Sequence, residues 1–375
     1  MRTRMLRACT ALALMGVLAA GAVVLTAQQR SGGSGAQTAT DTEAAIKAAE
    51  ETARKEAEAL KNWKPCRTAW GDPDLRGVWH LATYTPLQRP VELGEKAVYT
   101  DEEALNVFKQ RVERDAEVDP RTVHYDWKEY GMDGWQGGAR PNLRTSLIVE
   151  PSNGRLPPRT AEWEQGQAAR AAAAKLRDPA AGIQTFGNTY TRCVLGNGAI
   201  PLVRGGNPGG EGSAAGVTAE AQFFQSPGYV TIVTQSNNDI RIIPLDGRRH
   251  LPDRIRQWYG DARGRWDGNT LVIETKNIIG NTTGIGGNGG GTPFSEDVKI
   301  TERLTRTDKD TMQYSMRVED PRTYTAPFTF TFPIRREPGY QNFEYACHEG
   351  NHGMMNQLSG ARADERKARE AAGQK

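Results

Sequence analysis

Several common signatures are missing from this chain. No serine stands in a G-x-S-x-G elbow, so serine hydrolase chemistry has no support. Two glycine tracts, 205–216 and 280–291, lack the G-K-[ST] of a phosphate loop, and neither leads from a strand into a helix. That speaks against nucleotide binding. Beyond the N-terminal segment no apolar run approaches about 18 residues, so no membrane span is expected after cleavage of that segment. Charge of one sign is also lacking. The formal net charge is +3, and Arg2, Arg4 and Arg7 carry that whole excess. The remainder is near neutral, which gives no support for nucleic-acid or membrane-surface binding. Aromatic residues are a modest 7%.

What is present falls into regions. Residues 1–27 read as a secretory signal, with a basic start, an apolar run from Ala8 to Leu25 and small residues near Ala20 and Ala27. Cys9 precedes the apolar run and is a poor lipoprotein cysteine. Residues 28–62 are a polar linker and a charged helix whose apolar face is mostly alanine. The expected location is therefore periplasmic or secreted.

Residues 63–222 are read as an N-terminal region that wraps the main fold. A strand is expected around Gly77–Tyr84. Thr100 and Glu103 spell a capping box before a helix from Asp101 to about Glu117, with Leu105, Phe108 and Val112 on one face. A second strand covers Arg144–Glu150, and an Ala-rich helix covers Thr160–Arg177. Trp63, Trp70, Trp79, Trp127, Tyr130 and Trp135 crowd this region, either as core or as a ligand platform.

Residues 223–360 are nearly all strand. Tyr229–Val233 and Ile240–Leu245 flank a polar turn, and Gly264–Trp266 and Thr270–Lys276 flank Asp267-Gly268-Asn269. Val298–Thr305 pairs in pattern with Thr311–Val318, then Phe328–Ile334 and Phe343–Cys347 follow. This predicts a mainly β fold: an antiparallel meander forming a lipocalin-like barrel or sandwich, with a few peripheral helices. Closure would leave an interior or a mouth for one small ligand. Residues 361–375 read as a charged helical tail.

Two clusters carry candidate chemistry. Arg241, Asp246, Arg248, His250, Arg256, Trp258 and Asp261 are the candidate ligand-binding residues. Arginines beside a tryptophan can clamp a carboxylate or hydroxylated small molecule, because a guanidinium pairs bidentately with oxyanions. The alternative is internal salt bridges that tie a loop to the barrel. The second cluster is the stretch Phe343–Met355. His348 and Glu349 are candidate acid–base groups for a hydrolase or lyase. His348-Glu-Gly-Asn-His352 also spells H-E-x-x-H, so zinc is an alternative, and Cys347, His352 and Met355 resemble a copper ligand loop. Otherwise no cofactor is expected.

Glu344-Tyr-Ala-Cys-His-Glu-Gly-Asn, Gly353-Met and Ser359-Gly-Ala-Arg resemble the tail of a large family of secreted bacterial proteins of unknown function, abundant in acidobacteria and other soil bacteria. The resemblance extends to Arg67–Trp79, Arg144–Pro151, Ile242–Arg248, Ile255–Trp266 and Val318–Pro321. In that family the position of His352 is usually aromatic, so this chain departs there. The resemblance implies an extracytoplasmic, β-rich protein and supplies no activity. Export would leave Cys66, Cys193 and Cys347 in an oxidising compartment. Cys193 and Cys347 both follow strand-like segments in stretches that look like the family's core, so they are the expected disulfide. A non-catalytic envelope interaction protein, tethered by the helix at Asp41–Lys61, is the remaining alternative.

Overall fold

The computed structural model describes residues 63–116, 139–175, 192–194, 220–235, 239–280, 284–285, 292–336 and 338–373. The expected signal, the linker and charged helix, Trp127, Tyr130, Trp135 and the tract 205–216 lie outside those residues, as does most of 280–291.

In chain order the strands are β1 (Gly77–His80), β2 (Ile148–Glu150), β3 (Glu220–Ser226), β4 (Tyr229–Thr234), β5 (Asp239–Pro244) and β6 (Asp261–Asp267). They continue with β7 (Thr270–Lys276), β8 (Gly284–Ile285), β9 (Thr292–Pro293), β10 (Lys299–Arg306), β11 (Thr311–Glu319) and β12 (Phe328–Arg336). The helices are α1 (Asp101–Ala116), α2 (Ala161–Lys175) and α3 (His352–Ala371). The capping box forms as spelled: the Thr100 amide donates to Glu103 Oε2 at 2.8 Å, and the Glu103 amide to Thr100 Oγ1 at 3.2 Å. α1 buries Ala104, Phe108 and Val112 at i, i+4 and i+8, and Phe108 meets Tyr84 edge-on at 5.7 Å. Burial of each such large side chain is worth about 1.5–3 kcal/mol.

One antiparallel sheet runs β5-β4-β3-β1-β12-β11-β10-β7-β6, with β2 pairing β12 as well. The sheet curls into a nearly closed barrel whose two end strands, β5 and β6, lie side by side. β1 stands between β3 and β12, so the N-terminal region supplies a member of the barrel as well as a wrap. The residues before β1 close one end. Arg67 Nη2 donates to Asn269 Oδ1 at 2.9 Å, the Leu75 amide to Gln225 Oε1 at 2.7 Å, and Arg306 Nη1 to the Asp74 carbonyl at 2.9 Å.

Alternation along β11 and β12 sends Met312, Tyr314, Met316 and Val318, then Phe328, Phe330, Phe332 and Ile334, to full burial. Tyr314 meets Phe332 edge-on at 5.4 Å, and Trp79 is fully buried beside them. The barrel is therefore filled with side chains, as small barrels are. Among the described residues side chains occupy the interior where ligand space was expected, and an open cleft lies at the seam between β5 and β6.

Two further expectations need correction. Phe343–Cys347 is not a strand, and β12 is the last one. The Phe343 amide is satisfied by a side chain, Gln235 Oε1 at 3.0 Å, and the Cys347 and Glu349 amides bond locally to Tyr345 and Ala346. These local partners replace a ladder. The C-terminal helix begins at His352 rather than at 361, because Asn351 caps it by accepting from the Gly353 amide at 3.2 Å.

One charged pair crosses the filled interior. Arg241 of β5 reaches Glu302 of β10, with its Nη1 3.1 Å from Oε1, and Tyr314 Oη donates to the same carboxylate at 3.2 Å. Their side chains are 3% and 0% exposed. The neighbouring inward positions on β6 are Ala262 and Gly264, small enough to let the arginine pass. Burial works against the Arg241 charge, but the carboxylate and its hydrogen bonds outweigh that and raise its pKa. Removing one partner strands the other. Glu302→Leu is expected to lower stability by about 3–5 kcal/mol, and Arg241→Met combined with Glu302→Leu to recover most of that loss. Denaturant unfolding of the two variants checks it.

Candidate functional site

The seam has a topological cause. Eight successive antiparallel pairings separate β5 from β6, so the two end strands run in the same direction. Parallel neighbours need a crossover connection, and residues 245–260 supply it. No ladder joins β5 to β6 among the described residues. Side chains close one end of the seam instead. A Cβ built on Gly264 would lie 2.5 Å from Leu245 Cδ2 and 2.8 Å from Ile243 Cγ2, so these two β5-side residues pack onto bare backbone.

The other end of the seam stays open as a cleft of about 530 Å³. β5 gives it Ile240, Arg241 and Ile242, the crossover gives Arg256–Gly260, and β6 gives Asp261–Arg263. Three devices hold the crossover. Gln257 bridges to Ile278, its amide bonding the Asn277 carbonyl at 2.9 Å. Asn277 sits at φ 57° and donates from Nδ2 to the Leu251 carbonyl at 2.9 Å. Gly260 has φ +70°, and a Cβ there would lie 2.6 Å from the Lys276 carbonyl oxygen.

Four of the seven expected ligand-binding residues, Arg241, Arg256, Trp258 and Asp261, line this cleft. Arg256 is tied to Glu296, through its carbonyl at 2.6 Å and its carboxylate at 3.3 Å. The expected salt-bridge alternative thus holds for part of the cluster. His250 stands behind the wall rather than in it. Its Nδ1 is 3.0 Å from Asp261 Oδ2 and its Nε2 is 3.2 Å from Glu274 Oε1, so it ties the crossover to β6 and β7. Asp246 and Arg248 form an exposed pair off the cleft, joined to Tyr229. Hydrogen bonds from Arg248 hold the Asp246 carboxyl down at about 2.

The residue that sequence reasoning passed over is Arg263. Its Nη1 donates to Asp261 Oδ1 at 2.5 Å and to the Ala262 carbonyl at 2.7 Å, and its Nε to the Arg249 carbonyl at 3.2 Å. Nη2 has no hydrogen-bond partner among the described residues, and Arg263 lines the cleft with half-buried Trp258. The signal was available: a strand residue two positions after Asp261 points to the same side.

The C-terminal stretch is organised differently from its spelling. Cys193 and Cys347 are disulfide-bonded, as expected. Cys347 is therefore no thiolate, and the copper reading loses its first ligand. His348 lies in a turn before the cap and His352 opens α3, so the two do not share the helical face that an H-E-x-x-H site uses. Among the described residues no three His, Cys, Asp or Glu side chains converge on one point. His348 and Glu349 are exposed. The bridge does bring this arm toward the site, because Arg192, next to Cys193, stacks 6.0 Å from the Trp258 ring centroid. Asn351 Nδ2 lies 3.2 Å from Cys193 Sγ.

Compared with known proteins, the chain matches no family model and no curated protein.

Two outcomes follow from the held crossover. Gly260→Ala combines a left-handed φ with a backbone clash and is expected to lower stability by about 2–4 kcal/mol, measured by thermal unfolding. Burial raises the Glu274 carboxyl, but Lys299 at 2.8 Å, with Lys276 and His250, outweighs it and holds its pKa below 4.5. A depressed carboxyl stabilises the fold above its unfolded pKa and loses that contribution as pH falls through the folded one. Melting temperature should therefore drop below about pH 4.5, and Glu274→Gln should flatten that part of the profile.

Proposed function

We propose that this protein is an extracytoplasmic binding barrel that takes a small organic anion with an apolar body in the seam cleft. One observation carries the reading. Arg263, whose Nη2 has no hydrogen-bond partner among the described residues, lines a cleft walled by Trp258, Tyr259, Ile240 and Ile242. A charged guanidinium N–H donates to a carboxylate or sulfonate oxygen, and the aromatic and aliphatic wall takes the apolar part. The Cys193–Cys347 bridge and the signal-like start of the chain support an oxidising location. His348 and Glu349 stand exposed on a turn, so the geometry favours binding over acid–base turnover.

Calorimetric titration with 2-naphthoate tests this. Binding should be one to one, weaken with salt, and fall about tenfold in Arg263→Ala and in Trp258→Ala. Arg248→Ala, off the cleft, should bind like the parent chain. Unchanged affinity in both cleft variants would overturn the reading.

A further inference from the structure

The cleft is also the free edge of a strand. The Leu245 amide bonds the Gly228 carbonyl at 2.8 Å, continuing the β4–β5 register. Bonded residues alternate in an antiparallel ladder, so Ile243 and Arg241 bond β4. Ile240, Ile242 and Pro244 then turn their backbone groups away from β4, toward the seam. Pro244 agrees with that assignment, because proline in a strand belongs where no ladder amide is needed. The amides and carbonyls of Ile240 and Ile242 thus face the cleft with no ladder partner among the described residues.

The facing edge of β6 is treated differently. The two-residue turn Gly268-Asn269 makes Asp267 and Thr270 a bonded pair, so Ala262 and Gly264 face the seam. Arg263 Nη1 covers the Ala262 carbonyl at 2.7 Å, and Gly264 is covered by Ile243 and Leu245. One edge is blocked and the other is open. An open edge beside a cavity is a template for strand addition.

We infer that the ligand of this cleft is the carboxyl-terminal end of an extended peptide, which pairs its backbone with Ile240 and Ile242 of β5. This rests on the seam cleft being the ligand site. The terminal carboxylate accepts from Arg263 Nη2. The last side chain, apolar or aromatic, lies against Trp258. Ile240 and Ile242 are 58% and 62% exposed, so the outer face of β5 leaves room for peptide side chains that alternate outward. Charge and edge geometry together favour a peptide over a free aromatic acid. A free acid uses the guanidinium and the wall but leaves two amides and two carbonyls of β5 to water.

The test is fluorescence polarisation with a fluorescein-labelled Gly-Val-Thr-Phe peptide that ends in a free carboxylate. Its carboxamide should bind at least about tenfold more weakly. N-methylation at Val and at Thr should give opposite results, because alternate amides face the partner strand. One methyl should weaken binding about tenfold and the other should leave it nearly unchanged. Ile242→Pro removes an edge amide that no ladder uses, and should abolish peptide binding. Equal affinity of the two N-methyl peptides and the parent would overturn strand pairing with the unaltered protein, whatever the variant does. Binding of 2-naphthoate without peptide binding would overturn the inference and leave the cleft as a small-anion site. Binding of neither would remove the site itself.

Discussion

Nine strands joined edge to edge by eight antiparallel pairings end with both outer strands pointing the same way, and this constraint shapes everything near the site. An antiparallel meander closes cleanly only when its end strands oppose each other. Here they do not, so the chain must travel back along the barrel between β5 and β6. The 245–260 crossover is that return path. It brings Arg256, Trp258 and Tyr259 over a seam that has no ladder to fill it. The cleft is thus a consequence of strand parity, and its residues are those the return path carries.

The seam would be a weak point without its cross-links. Ile243 and Leu245 lean onto Gly264, where the absence of a Cβ lets the two strands approach. Arg241 reaches through to Glu302 on the far side of β6 and β7. A buried ion pair adds little net stability over an apolar substitute, but it penalises any arrangement that leaves one charge alone. Its effect here is on register: β5 sits where Arg241 can meet Glu302. Arg241 also lines the open cleft.

Much of the fold was legible in local pattern. Alternation marked β4 to β7 and β10 to β12 within a few residues, and the capping box at Thr100 fixed the start of α1. Those signals are local because a hairpin or a cap is decided by residues close in sequence. The barrel's closure was not legible. β1 pairs with β3 and β12 across gaps of well over a hundred residues, and four residues carry no mark of such partners. The stretch at Phe343–Met355 misled for the opposite reason. Its dense spelling of Cys, His and Glu looked chemical, whereas Cys347 serves a bridge, Asn351 serves a cap, and the histidines face solvent.

The candidate site divides along the same line. The sequence by itself determined that arginines, an aspartate and a tryptophan cluster between two strands, because a short connection keeps its residues together wherever it goes. It also determined a mainly β chain, with Cys193 and Cys347 placed as expected partners. Only the tertiary structure decided which members of the cluster share a cleft. Arg248 and Arg263 look alike in sequence, but one pairs with Asp246 in solvent and the other pairs with Asp261 in the wall of the seam cleft. The physical reason is direction. A side chain's use depends on which face of a strand it leaves from and which edge lies beside it, and the closing of the barrel sets both.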